Sequence, residues 1–109
     1  MEKFVKGDIV VIPFPFSDLS GSKKRPALVL ADLQGDDFIL CQITSQHTKD
    51  IYTIAINDSD FKTNKLPVPS NIRPNRIFTA DKNIIIKKAA SLDEVVFKGV
   101  IQKVISILS

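Results

Sequence analysis

Arg25 stands in the run Lys23-Lys24-Arg25-Pro26-Ala27-Leu28-Val29-Leu30, which joins three consecutive cations to a stretch of strand formers. Pro26 has a fixed φ and no N–H, so it suits the first position of a strand and disfavours helix at Arg25. The arginine is therefore held at the edge of a rigid sheet, beneath the polar stretch Ser17-Asp18-Leu19-Ser20-Gly21-Ser22. A guanidinium backed by two ammonium groups at the mouth of a scaffold is what a phosphate-handling site needs. The plainer alternative is a solvated arginine that merely begins a strand. A second polar cluster, Gln42-Ile43-Thr44-Ser45-Gln46-His47-Thr48, lies where the third strand runs out into a loop, a common place for binding residues. A hairpin with a short turn brings the end of this strand back beside the start of the previous one, so Thr44 is expected near Arg25. Thr44 and Ser45 could equally be turn hydroxyls that bond their own backbone.

The elements that must position these groups are mostly strands. Ile9-Val10-Val11-Ile12-Pro13-Phe14 and Ala27-Leu28-Val29-Leu30-Ala31 are near-continuous apolar runs, which implies burial on both faces. Gln34-Gly35-Asp36-Asp37 is a turn signal that pairs the second strand with Phe38 to Thr44. Tyr52 to Ile56 reads as a short strand closed by Asn57-Asp58-Ser59-Asp60. Phe61 to Pro74 contains three prolines and is expected to be mostly loop or irregular edge. Arg76 to Ala80 and Ile84 to Lys88 read as the last strands, separated by the turn Asp81-Lys82-Asn83. The pattern Ser91-Leu92-Asp93-Glu94 predicts a capping box. Leu92, Val95, Val96, Val100, Ile101, Val104, Ile105 and Leu108 then predict one apolar helical stripe, with Gly99 marking close packing. The fold class expected from the pattern is mainly β with a C-terminal helix: a small, strongly bent antiparallel sheet approaching a partly open barrel.

Composition bounds the function. The chain has 109 residues, 44% hydrophobic and 25% charged, and reads over 1–109 as one globular domain. No apolar stretch is long enough to span a bilayer, and the N-terminal residues lack a signal-peptide core, so a cytoplasmic protein is the expectation. Cys41 is the one cysteine and His47 the one histidine, which excludes an internal disulfide and multi-histidine metal sites. Within Phe38-Ile39-Leu40-Cys41 the thiol reads as a buried hydrophobe. The net charge of +3 is compatible with a polyanionic partner without requiring one. The cations cluster, with Lys23, Lys24 and Arg25 on one loop, Arg73 and Arg76 on another, and Lys82, Lys87 and Lys88 following.

The chain resembles the PemK/MazF family, the toxin halves of type II toxin–antitoxin systems. The resemblance runs through Gly7-Asp8-Ile9-Val10-Val11-Ile12, the Gly21-to-Arg25 loop with its Arg-Pro-Ala-Leu-Val-Leu strand, Ile43-Thr44-Ser45-Gln46, Phe78-Thr79-Ala80-Asp81-Lys82 and the terminal helix. It implies an SH3-like small barrel of the CcdB/MazF type acting as a homodimer. It also implies a metal-independent endoribonuclease, an mRNA interferase without cofactor, that cuts single-stranded RNA. A cognate antitoxin would block the same groove and bind DNA together with the toxin. Other readings are a toxin of the same fold that binds a protein such as gyrase, and an interaction domain whose catalytic site has decayed.

In such cleavage the ribose 2′-OH attacks the adjacent phosphorus and expels the 5′-oxygen, leaving a 2′,3′-cyclic phosphate. The substrate carries its own nucleophile, so the protein orients, moves protons and stabilises charge. Arg25 matches the family's catalytic arginine and Thr44 its hydroxyl. Lys24, Ser45, Gln46, Arg73, Arg76 and Phe16 are the expected substrate-binding residues, with Phe14, Phe16 and Phe78 as candidate stacking surfaces. Some family members carry an aspartate two residues after the second arginine, whereas Arg73-Pro74-Asn75 has an amide there, which accepts no proton at neutral pH. Where relatives carry another arginine before Thr-x-Asp this chain has Phe78. Alternation would put Arg76 on the same face as Phe78, to supply the missing charge. Asp18 and His47 are the candidate bases.

Overall fold

The computed structural model describes residues 3–14, 23–46 and 50–109, with the backbone alone described at Phe14. Among the described residues seven antiparallel strands form one curved sheet, a half-barrel closed on one side by a C-terminal helix. The strands are β1 (Asp8–Phe14), β2 (Lys23–Asp32), β3 (Asp37–Thr44), β4 (Ile54–Ile56), β5 (Phe61–Thr63), β6 (Ser70–Asp81) and β7 (Lys87–Leu92). Helix α1 covers Glu94–Leu108. The spatial order is β4-β6-β3-β2-β1-β7-β5.

The apolar runs of β1 and β2 are buried on both faces, as their sequence requires. Ile9, Leu28, Leu30, Cys41, Ile43, Ile72, Phe97 and Val100 form the cluster beneath the helix. Val10, Ile12, Ala27, Val29, Phe38 and Leu40 form a second cluster, with Phe4 and Ile85 packed against it. Alternate residues of each strand thus serve opposite faces. Cys41 is wholly buried, and burial pushes its thiol up to about 12. The expected result is that a maleimide leaves native protein unlabelled at pH 7 and labels it at the rate of global opening. Rapid native labelling would contradict this.

The β2–β3 turn forms where Gly35 permits it, at φ 94°. Elsewhere the structure moves several boundaries. β4 begins at Ile54 because Asp50 accepts the N–H groups of Tyr52 and Thr53, at 3.0 and 2.9 Å, ahead of the strand. The proline-bearing segment holds β5, and β6 starts at Ser70. Pro74 is tolerated because Cys41 pairs with Ile77 while Gln42 pairs with Arg73, which leaves 74–76 as a bulge where no ladder N–H is needed.

The last strand runs over Lys87–Leu92 rather than Ile84 to Lys88. Leu92 donates its N–H to the Gly7 carbonyl at 2.9 Å, which extends β7 past Ser91. The helix is capped by Asp93, whose carboxylate accepts the Val95 N–H at 3.1 Å. Ser91 instead donates to Asp8 at 3.0 Å from within β7. The buried face of α1 therefore centres on Phe97 and Val100, with Val96, Ile101 and Val104 beside them. Val95, Ile105 and Leu108 are exposed, and Gly99 faces open space rather than a close neighbour.

Candidate functional site

Strand register decides which of the polar groups meet. Ala27 pairs with Gln42 and Leu28 with Cys41. Continuing that register by two residues sets Arg25 opposite Thr44. Ile12 pairs with Arg25 on the other side, and Thr44 pairs with Asn71. One row across four strands therefore reads Ile12, Arg25, Thr44, Asn71. The next row reads Val10, Ala27, Gln42, Arg73. Directly paired residues share a face, so Arg25, Thr44 and Arg73 lie on the face of the second core cluster, away from α1. Neighbouring strands are about 4.8 Å apart and Arg73 is offset two residues from the Arg25 row, which puts the two backbones roughly 12 Å apart across β3.

Thr44 is buried, and its hydroxyl accepts the Gln46 N–H at 3.1 Å. The Asn71 amide donates to the Gln46 carbonyl at 3.1 Å. Together these bonds fix the turn that ends β3. The turn-hydroxyl role is thus occupied, while the Thr44 O–H remains a donor for a ligand.

Lys24, Pro26, Ile43 and Ser45 belong to the opposite face. They line a cavity of about 320 Å³ at the end of the sheet, with Val11, Ala89, Lys87 and Ser70 around it and Leu66, Pro67 and Val68 along one wall. Arg25 also lines this cavity, so it is the residue common to both faces of the strand end. Thr44 and Arg73 do not line it. Gln46 is exposed beside the turn. Arg76 falls in the bulge, exposed and without a register partner, so the alternation that would put it beside Phe78 is interrupted. Phe78 pairs with Leu40 and packs against the second core cluster. Phe16, Asp18 and His47 lie outside the described residues.

Asp50 is the member of this region that the sequence reading passed over. Its carboxylate meets the Arg73 guanidinium at 3.2 Å, with both side chains only 24% and 19% exposed. Its other oxygen accepts the N–H groups of Tyr52 and Thr53 and the Thr53 hydroxyl, the last at 2.7 Å. The signal was present: Asp50 followed by Thr53 is an Asx-turn pattern. Lys87 and Ser70 were also missed, because only the β7 register and the early start of β6 bring them to the strand end.

The Thr53 hydroxyl does most to hold the Asp50 carboxyl down. A smaller push from desolvation opposes it, while the two backbone N–H groups and Arg73 add to the lowering, and the group titrates at about 2 rather than 3.8. A folded value below the unfolded one stabilises the fold fully above pH 3.8, and that contribution fades as pH falls toward 2. The difference in urea midpoint between wild type and Asp50→Asn is therefore expected to shrink from pH 5 to pH 2. A difference independent of pH would contradict the assignment.

A family model described as the PemK-like, MazF-like toxin of type II toxin–antitoxin systems matches residues 5–108. No individual curated protein matches the chain by sequence. The fold is similar to that of MazF from Deinococcus radiodurans, at 20% identity and a TM-score of 0.77, over 99% of this chain and 98% of that one. It is similar to a MazE–MazF structure from the same organism, at 18% identity and TM-score 0.76, over 100% and 98% of the two chains. An endoribonuclease from Mycobacterial species in complex with its cognate antitoxin matches at 14% identity and TM-score 0.75, over 97% and 95%.

Proposed function

This chain belongs to the PemK-like, MazF-like toxin family of type II toxin–antitoxin systems, and from that premise we propose that it is a growth-inhibiting endoribonuclease of the cytoplasm. Its substrate is single-stranded RNA, it acts as a homodimer, and a cognate antitoxin neutralises it. The observation that carries the reading is that Arg25, Thr44 and Arg73 share one face of the sheet, while Arg25 also lines the cavity on the opposite face with Lys24, Ser45 and Lys87.

The chemistry follows from these groups. A phosphodiester laid across the strand end meets Arg25, whose planar fork holds two phosphate oxygens and gains strength as charge builds on them. Thr44 donates its hydroxyl hydrogen to the phosphate or orients the attacking 2′-OH. Arg73 adds charge from two strands away, while Lys24 and Lys87 hold the neighbouring backbone. The apolar wall of Leu66 to Val68 gives the cavity a surface against which one base can lie. A guanidinium does not release a proton at neutral pH, and Asp50 is too acidic to accept one. Proton transfer therefore falls to water or to groups outside the described residues.

The deciding experiment incubates end-labelled RNA with pure protein in EDTA. The expected result is endonucleolytic cleavage with 2′,3′-cyclic phosphate ends, and an all-deoxy strand of the same sequence left intact because it lacks the nucleophile. Intact RNA would overturn the reading in favour of a toxin that binds a protein target.

A further inference from the structure

We propose that Asp50 is a positioning residue for the RNA cleavage inferred above: from the β3–β4 loop it fixes the Arg73 guanidinium on the face that carries Arg25 and Thr44. The inference rests on that cleavage reading. It gives Asp50 an orienting role beside the second arginine, and not the proton-accepting role that Asn75 cannot fill.

The geometry of the pair supports this. One Asp50 oxygen is tied by three donors from Tyr52 and Thr53, so the carboxylate cannot swing, and its second oxygen is left facing Arg73 Nη2. Arg73 Nε is enclosed and finds no acceptor among the described residues. Asn75 Oδ1 is likewise enclosed and accepts nothing, so it does not take over the restraint. Asp50 is therefore the anchor of the Arg73 head among the described residues. The backbone beneath that head is itself set by Pro74, buried in the bulge. A guanidinium pinned at one terminal nitrogen keeps its remaining donors pointed in a constant direction, and a constant direction is what electrostatic catalysis requires. The lowered pKa of Asp50 agrees with a group that stays anionic and exchanges no proton with substrate.

The test compares wild type, Asp50→Asn, Asp50→Glu, Arg73→Ala and the Asp50→Asn/Arg73→Ala double variant in single-turnover cleavage of labelled RNA, with thermal unfolding of each as a folding check. Binding of a non-cleavable oligonucleotide with one 2′-deoxy position is measured alongside. Asp50→Asn is expected to slow cleavage about 10- to 100-fold with a much smaller change in affinity, and Asp50→Glu to recover part of the rate. In the Arg73→Ala background the further loss from Asp50→Asn is expected to vanish. Wild-type rates in Asp50→Asn, or losses that multiply independently in the double variant, would overturn the inference. Nitrogen NMR of the arginine side chains supplies an arm without RNA, in which the Arg73 Nη signals separate in wild type and merge in Asp50→Asn. Unchanged Arg73 signals overturn the inference whatever the RNA result, whereas RNA left intact by wild type overturns the cleavage reading instead.

Discussion

Arg25→Ala is expected to remove most RNA cleavage, about a hundred- to a thousandfold in rate, while the protein stays folded. The physical basis is electrostatic. Arg25 is the residue common to the Thr44 face and to the cavity, and its charge has no carboxylate partner among the described ion pairs. A fixed guanidinium over the pentavalent phosphate strengthens as negative charge accumulates, and single contacts of this kind contribute about 3–4 kcal/mol to the barrier. No described ion pair is lost with the side chain, so the thermal midpoint should move by only a degree or two. Arg25→Lys should recover a part of the rate, because a point charge replaces the fork without reproducing its two parallel donors. Thr44→Val should fall between the two, since the hydroxyl also accepts the Gln46 N–H that closes the turn. Single-turnover rates in EDTA check all three variants. Undiminished cleavage by Arg25→Ala would remove Arg25 from the site.

Phe38→Ala is expected to cost about 3–5 kcal/mol of folding stability. Phe38 is 2% exposed and sits in the cluster on the face opposite α1. Its ring meets Phe4 edge-on at 6.4 Å, and the Lys82 ammonium lies 4.9 Å from its centroid. Truncation therefore removes a large buried area and leaves a cavity between Phe4, Leu40 and the strand pairs. Phe38→Leu keeps most of the volume and should cost well under half as much. Because Val10, Ala27 and Leu40 continue this cluster toward the Arg25 row, the loss should also lower activity at temperatures near the shifted midpoint. Urea unfolding with an unchanged slope checks the stability change. A loss below about 1 kcal/mol would mean that the second cluster contributes little.

Much of this architecture was legible in local sequence. The runs at Ile9 to Phe14 and Ala27 to Ala31 are apolar at every position, and the fold buries both faces of 9–12 and 27–30 because no other placement hides them. The turn at Gln34 to Asp37 paired β2 with β3, but a bulge at Leu30 shifts that pairing by one residue, and only the shifted register, continued two residues beyond Ala27 and Gln42, sets Thr44 opposite Arg25. The resemblance in short motifs likewise led to the family that the comparison shows.

Tertiary context decided the rest. Pro74 argued locally against a strand, yet a bulge in β6 absorbs its missing N–H because β3 supplies pairing on both sides of it. Ser91 looked like a cap, but its hydroxyl is drawn to the buried carboxylate of Asp8, and Asp93 caps the helix instead. Asp50 and Arg73, 23 residues apart, meet only because β4 pairs with β6, and so the carboxylate beside the second arginine comes from a loop rather than from the next turn of the strand. Local propensity and alternation thus determined the strands, whereas the row holding Arg25 depended on the β2 bulge. Which charged groups face one another was set by sheet order, because a pairing between distant strands leaves no period in the sequence.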